Sequence, residues 1–484
     1  MFINKTLMAL FAAALLACTS TASATSLGVL VPVQQGEEIT TKPSAGGRVM
    51  PVFQAAPDSA LHRSLIRESQ RGTVAFVLKL DEQAQRLSGQ GAGPTWLLLT
   101  EEEGGFAKRG FWLREHGHDR YLDQPYVALV VDADSIADGS FEEIFAHETG
   151  HVLLRRLLTR LPAGMSRVNH GSLTITDDPT AFDEGFAIHF QALSRLLTLN
   201  SALKANDAGL GSKPFTPLWQ SRVDGTLRID GVRRNWFIHR QLLPPGNDDA
   251  LARRANSSAF DIGALKNGNQ MMASEGVVAT LFYRALAPAA STGRYVSLFR
   301  ALQHLDRQEL RPDSPLLPLL AQSWLTTDPP QGKRFAKLFV ETTYGATIER
   351  ALPQATMELA QIGRLGKQQA FVEHLKPARA QLAALIEQVN QQPVMLAAGL
   401  GPALWIATTE SLVLNLNTAE ADQLAALDAS LAEWGGKIVA ERDAHGPYGS
   451  LGDLAQRVGL PESLGAKISG MAAMAFALGT NPRL

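Results

Sequence analysis

The pentapeptide His147-Glu148-Thr149-Gly150-His151 constrains this chain more than any other stretch. Two histidines four residues apart share one face only on an α-helix, where side chains so spaced lie about 5–6 Å apart and can both reach one Zn²⁺. Glu148, one step further along, projects about 100° round the helix, beside such an ion rather than on it. It can then accept a proton from a metal-activated water. The flanks suit a half-buried helix, since Ile144, Phe145, Val152, Leu153 and Leu157 are apolar. Ser140 with Glu143 three residues later reads as a capping box, and Pro162 stops the run, so a helix is predicted over 141–160.

At 484 residues the chain exceeds one ordinary core, which predicts two or three domains. There are 45 Lys+Arg against 47 Asp+Glu, a net charge of −2 that argues against a general nucleic-acid binder. The one cysteine, Cys18, excludes an intrachain disulfide and a multi-cysteine metal site. Residues 1–24 read as an export signal. Lys5 supplies the charge, 6–17 form an apolar run too short to span a bilayer, and Ala22-Ser23-Ala24 is a small-residue cleavage site. Leu15-Leu16-Ala17-Cys18 competes with this reading as a bacterial lipobox, which would make 1–17 a lipoprotein signal and Cys18 a lipid anchor. Both readings place the mature chain at the bacterial cell envelope, periplasmic or lipid-anchored, or secreted. A later apolar run, 394–407, is short and broken by Gly399, Gly401 and Pro402.

Periodicity predicts an α+β chain, predominantly helical. A helix is expected over 59–70, and strands over 73–80, 96–100, 104–115 and 126–131. Asp178-Pro179 starts the next helix, with an N-cap and a proline at the first helical position. The Gly/Pro/Asn/Asp-rich stretch 200–269 reads as an insertion with little regular structure. Helices resume over 270–286, 295–305 and 355–389, followed by a linker at 391–402. The expected units are a metal-binding core at 58–200, an insertion and helical domain at 201–390 completing the catalytic region, and a small helical domain at 411–484.

An open zinc site needs a third protein ligand. One known continuation puts Gly three and His six residues after the second histidine, but Leu154 and Leu157 stand there. Glu184, in Asp183-Glu184-Gly185-Phe186-Ala187, is the better candidate. Glu275, in Ser274-Glu275-Gly276, repeats the Glu-Gly pattern, and His170 is a third option. With the pentapeptide, the string around Glu184 resembles the gluzincin superfamily of zinc peptidases over about 95–197. The resemblance implies a zincin-like catalytic domain with a small N-terminal sheet and a peptide or protein substrate. It maps His147, His151 and Glu184 to zinc ligands and Glu148 to the general base. Gly185 would let two helices facing one ion approach closely.

The chain departs from that superfamily at several points. The Gly-Ala-Met-Glu-Asn string of the aminopeptidase branch is absent. Ile188 stands where thermolysin-like enzymes carry an Asp that supports a ligand histidine. Asp183 or Asp177 could orient an imidazole instead; for Asp183 a first-turn helix carboxylate is the preferred reading. The related families stabilise the oxyanion with a downstream Tyr or His, and Tyr283 and His239 are the candidates. The strand at 104–115, with its glycines and charges, suits an exposed edge that pairs with substrate.

The tail carries Leu414-Asn415-Leu416-Asn417-Thr418-Ala419, His445-Gly446-Pro447-Tyr448 and Val458-Gly459-Leu460. Over about 412–474 it resembles the tandem helix-hairpin-helix modules of competence DNA receptors and of a type II secretion minor pseudopilin. Such hairpins grip phosphates through the N–H groups of a Gly-x-Gly turn. Here Asp428-Ala429-Ser430-Leu431 lacks glycines, and Pro461 removes a donor. Residues 412–484 hold 5 Lys+Arg and 8 Asp+Glu, a net of −3 that repels a duplex. No nucleic-acid partner is therefore expected, and a protein partner is preferred. The three classes in play are an exported zinc peptidase, a non-catalytic zinc-binding envelope protein and an envelope DNA-binding protein.

Overall fold

The computed structural model describes residues 26–91, 93–164, 170–173, 175–211, 225–241, 260–287, 291–311, 314–346 and 376–391. Further on it describes 405–407, 412–416, 419, 421, 424–425, 429–446, 448–470 and 474–475. The export signal, Cys18, most of the helix expected from 355 and the linker beyond 391 lie outside these runs. Among the described residues no helix is long and apolar enough to cross a membrane.

The architecture is α+β and mostly helical. Six strands form the main sheet: β1 (Leu27–Pro32), β2 (Thr41–Pro43), β3 (Val49–Ala55), β4 (Thr95–Leu99), β5 (Gly105–Glu115) and β6 (His118–Leu129). Their order is β1-β4-β6-β5-β3-β2, and β1 also pairs with β3, so the sheet turns back on itself. Side chains alternate faces along a strand. Leu30, Phe53, Leu98, Phe111 and Ala128 fill the space within the sheet. Leu27, Val29, Leu97, Val127 and Leu129 turn outward onto the helices. Burial on both faces explains the unbroken apolar run Trp96 to Leu99.

Helices α1 (Ala60–Glu68), α2 (Gly72–Leu87), α3 (Ala133–Asp138), α4 (Ser140–Leu157) and α5 (Asp178–Leu197) follow among the strands. After them come α6 (Ser201–Gly211), α7 (Gly225–Arg234), α8 (Gly268–Met272), α9 (Glu275–Leu286), α10 (Thr292–Asp306), α11 (Leu316–Thr327) and α12 (Pro329–Thr343). The main core lies where α2, α4, α5 and α9 to α12 meet the outward face of the sheet.

Several expectations need correction. Residues 73–80 are helical, part of α2. The β-branched Thr73, Val74 and Val77 suggested a strand, yet the buried positions 74, 77, 78, 81, 84 and 85 follow the helical repeat. Ser140 does not cap α4. Gly139, left-handed at φ 86°, ends α3 and starts α4, and Glu143 instead pairs with Arg195 in α5. Asp177 rather than Asp178 caps α5, accepting from Thr180 N–H at 2.8 Å, and Pro179 follows in the first turn. The stretch 200–269 carries α6, α7 and the strand pair β7 (His239–Gln241) and β8 (Phe260–Leu265). The strand expected at 126–131 begins at His118, because His116 and Gly117, both at positive φ, close a two-residue hairpin with β5.

The C-terminal segment contains α13 (Ala432–His445), α14 (Leu451–Val458) and α15 (Glu462–Gly470). Gly459, at φ 71°, ends α14 ahead of Leu460-Pro461 and α15. A small core of Leu416, Leu431, Ile438, Tyr448, Leu454 and Ile468 joins these helices and extends to Ile175 and Ala273 of the main body. Residues 426–428, which include Asp428 of the first expected hairpin, lie outside the described runs.

Candidate metal centre

Helix α4 presents His147, Glu148, His151 and Arg155 along one side of a cleft, and α5 presents Asp183 and Glu184. The two helices approach closely where Gly150 lies against Ala187. A Cβ on Gly150 would come 2.9 Å from Ala187 Cα. Gly185, expected in this role, instead faces α9, where a Cβ would come 2.5 Å from that of Val278.

His147 Nε2 and His151 Nε2 each lie 3.6 Å from Glu184 Oε2. The three ligand atoms all fall within 4.8 Å of one another. A tetrahedral ion with bonds of about 2.0–2.1 Å sets its ligand atoms roughly 3.3 Å apart. The donor set of two imidazoles and one carboxylate thus fits zinc in both chemistry and spacing. His151 Nδ1 lies 2.6 Å from Asp183 Oδ1. That bond fixes the ring with its Nδ1–H on the carboxylate and leaves Nε2 facing Glu184. Asp183 is therefore the orienting residue, not a bystander in the first turn, and Asp177 is occupied with capping.

Acidic and basic groups stabilise one another at this point. Burial works against a charged His151, yet Asp183 and Glu184 hold its pKa well above the ordinary range. Burial likewise opposes a charged Glu184, but His151 and the neighbouring histidines hold its carboxyl well below the usual value. Burial pushes His147 down, and the nearby His151 adds to the effect. Two carboxylates crowded against one imidazole would equally accommodate a divalent cation. Glu148 stands beside this group, its Oε1 3.9 Å from His147 Nε2. Burial raises its pKa to about 7, where a carboxylate can take and return a proton.

His170 enters the cleft from the loop before α5. Its Nε2 is 3.9 Å from Glu184 Oε1, and its Nδ1 is 3.1 Å from Glu275 Oε1. Glu275, the first residue of α9, is 1% exposed. Its charge, opposed by burial, raises His170 to about 9, so the ring is an imidazolium at neutral pH. Glu275 is thus a partner of His170, not a member of the ligand group. Lys266, also buried, donates to Leu173 C=O at 2.8 Å; burial pushes it down to about 7, and Glu275 resists that shift.

The cleft has a volume of about 320 Å³. One wall is the start of β5, from Gly105 to Lys108; the other includes Leu161, Pro162 and Gly164. The edge-strand expectation holds for only half of β5. From Gly105 to Arg109 the strand pairs with β6 alone, and beyond the irregularity at Gly110 it also pairs with β3. Neither oxyanion candidate lines the cleft. Tyr283 lies eight residues into α9 from Glu275, about 12 Å along the axis, and packs among core side chains. His239 is fully buried in the β7–β8 pair, opposite Leu265. The sequence reading did not place Gly105 or Arg155 at this cleft, and it named His170 only as an optional ligand. Only Arg155 had a usable signal, since it repeats the four-residue step after His151. No family model, curated protein or solved structure matches this chain.

Proposed function

We propose that this chain is an exported zinc-dependent peptidase built on a zincin-like metal-binding core. The observation that carries the reading is the convergence of His147, His151 and Glu184, with Glu148 beside them and Asp183 behind His151. Bound there, zinc would lower the pKa of a coordinated water towards about 7 and polarise the scissile carbonyl. Glu148, beside the metal position and not one of its ligands, would take the proton of the attacking water and deliver it to the leaving amine. His170, held beside Glu275 at 3.1 Å, would supply the hydrogen bond to the developing oxyanion, in place of Tyr283 or His239. The open half of β5 offers backbone groups to an extended substrate.

Residues 1–24 support a place in the bacterial envelope, either through cleavage after Ala24 or through lipidation at Cys18. The acidic C-terminal segment supports docking to a protein, not to DNA. The test is elemental analysis of the mature chain together with cleavage of a mixed peptide library read by mass spectrometry. One zinc per chain and discrete cleavage products are expected. Glu148→Gln should keep zinc and lose activity about 10²–10⁴-fold, whereas His147→Ala should lose both. A chain that holds no zinc after refolding with Zn²⁺ would defeat the reading. A chain that holds zinc and cleaves nothing would point to the non-catalytic alternative.

A further inference from the structure

We propose that Arg155 ends the substrate strand: it occupies the Ala107 carbonyl, so an extended peptide pairs with β5 on the Gly105 side only and is cut near one of its ends. The inference rests on the peptidase reading and adds a substrate class to it: peptides with no more than about two residues beyond the scissile bond on the Arg155 side.

In a sheet, alternate residues of a strand turn their N–H and C=O groups to opposite neighbours. On β6 the Leu129 carbonyl accepts from Thr100 N–H, at the end of β4, at 3.0 Å. Leu129 and Val127 therefore serve β4, and Ala128 and Tyr126 serve β5. Their partners across the ladder, Phe106 and Lys108, are used up within the sheet. Gly105, Ala107 and Arg109 are left with their backbone groups on the open side, which lines the cleft from Gly105 to Lys108. The contact with α4 has the same parity, since Arg155 Nη1 donates to the Ala107 carbonyl.

Gly105 lies beside Glu148, so close that a Cβ there would come 2.7 Å from Glu148 Oε1. Ala107 lies about 6–7 Å further along β5, at Arg155, which follows His151 by one helical turn. A paired strand would run about 4.8 Å from β5, and the half-buried guanidinium stands in that lane. A peptide can use the Gly105 N–H and C=O and the Ala107 N–H, but at the Ala107 carbonyl it meets Arg155. Past that point Arg109 is the last outward-facing residue before Gly110, where the register shifts and β3 takes over the edge. A charged side chain laid on an open edge is a general means of stopping a strand from adding there. Arg155 also acts by charge on Glu148, favouring the ionised carboxylate; the length limit does not depend on this.

Zinc-loaded full-length protein carrying Glu148→Gln is titrated by calorimetry with peptides that share one core and are lengthened stepwise at one end or the other. Lengthening at one end should leave binding unchanged or tighten it. Lengthening at the other end by more than about two residues should weaken it about 10-fold or more. A limit at the C-terminal end assigns carboxypeptidase-type cleavage, and a limit at the N-terminal end assigns aminopeptidase-type cleavage. Adding Arg155→Ala, which frees the Ala107 carbonyl, should remove the limit, and Arg155→Lys should keep part of it. The readout is the ratio of long to short peptide within each protein, so any change that the variant makes at Glu148 cancels. If Arg155→Ala fails to fold, the cut positions of the wild type on long library peptides carry the test: they should fall within about two residues of one terminus. Internal cuts, equal tolerance of length at both ends, or a limit that survives Arg155→Ala overturn the proposal. A limit that Arg155→Ala removes, in a chain whose wild type cleaves nothing, would leave the role of Arg155 standing and remove the peptidase reading. Binding of no peptide at all overturns both.

Discussion

Gly105→Ala offers a direct probe of Glu148, because the contact is geometric. A Cβ at position 105 would come 2.7 Å from Glu148 Oε1, 2.9 Å from Leu129 Cδ2 and 3.0 Å from Ile144 Cγ2. Ile144 is 40% exposed and can swing away, whereas Leu129 is buried. Leu129 Cδ2 must shift as well, and the Glu148 carboxylate, the nearest group, must retreat by about 0.7 Å to reach ordinary contact. A misplacement approaching 1 Å at a reacting group costs up to about 10²-fold in rate. Overpacking at this position should cost only about 1–3 kcal/mol of stability. Gly105 has ordinary backbone angles, so alanine adds no conformational strain. On the proposed peptidase reading, the assay compares kcat/KM on a peptide from the library cleavage, with zinc content and melting temperature measured in parallel. Zinc should be retained, since none of the three ligand residues is touched. A double variant with Glu148→Gln sharpens the test. If Gly105→Ala acts only through Glu148, the pair should be no slower than Glu148→Gln alone. Wild-type activity in Gly105→Ala, or additive losses in the pair, would refute the placement of Glu148 as the base against β5.

Three further outcomes are expected. Asp183→Asn should weaken zinc about 10–100-fold in competition with a chromogenic chelator, while Asp177→Asn, at the helix cap, should leave zinc affinity unchanged. Arg156→Met should destabilise the chain by about 3–5 kcal/mol in chemical denaturation. It strands the buried Asp81, to which Arg156 Nε donates at 2.7 Å, and Asp81→Asn in the same chain should recover most of the loss. Lys266 gives a pH signature. Its folded pKa of about 7 lies below the ordinary 10.5, so the unfolded chain takes up a proton first as pH falls. Stability tied to this residue is intact above pH 10.5 and lost by pH 7, by up to about 5 kcal/mol. Lys266→Met should therefore flatten the rise in stability between pH 7 and 10, and parallel curves for the two proteins would disprove it.

What was legible in the sequence was what local spacing controls. The helical step that sets His147 beside His151 is intrinsic to α4, and so is the apolar stripe that buries it. The hairpin of β5 and β6 was half legible, because His116-Gly117 is a less familiar turn than Asn-Gly. The closed strand order was not legible, since β1 pairs with β4 and β3 across long separations that no local pattern encodes. The same holds for partners in the site. His170 meets Glu275, and Arg155 meets Ala107, only through the packing of α9, α4 and β5. Asp183 was misjudged because the first-turn reading considers one helix at a time, while His151 lies on another.

The two Glu-Gly pairs show how one local solution came to serve two chemical tasks. In each, the glycine lies where another segment comes too close for a side chain. Gly185 meets Val278 and the Glu275 carbonyl; Gly276 meets Phe237 and the Ser172 carbonyl. The neighbouring glutamate is thereby held at the junction, against whatever the opposing element presents. Glu184 faces α4 and receives two imidazole nitrogens at 3.6 Å. Glu275 faces the loop before α5 and receives His170 at 3.1 Å. The sequence pattern is the same because the packing need is the same; the roles diverge with what lies opposite. Close packing of α4, α5 and α9 thus sets the spacing of both groups, through Gly150 on one side of α5 and Gly185 on the other.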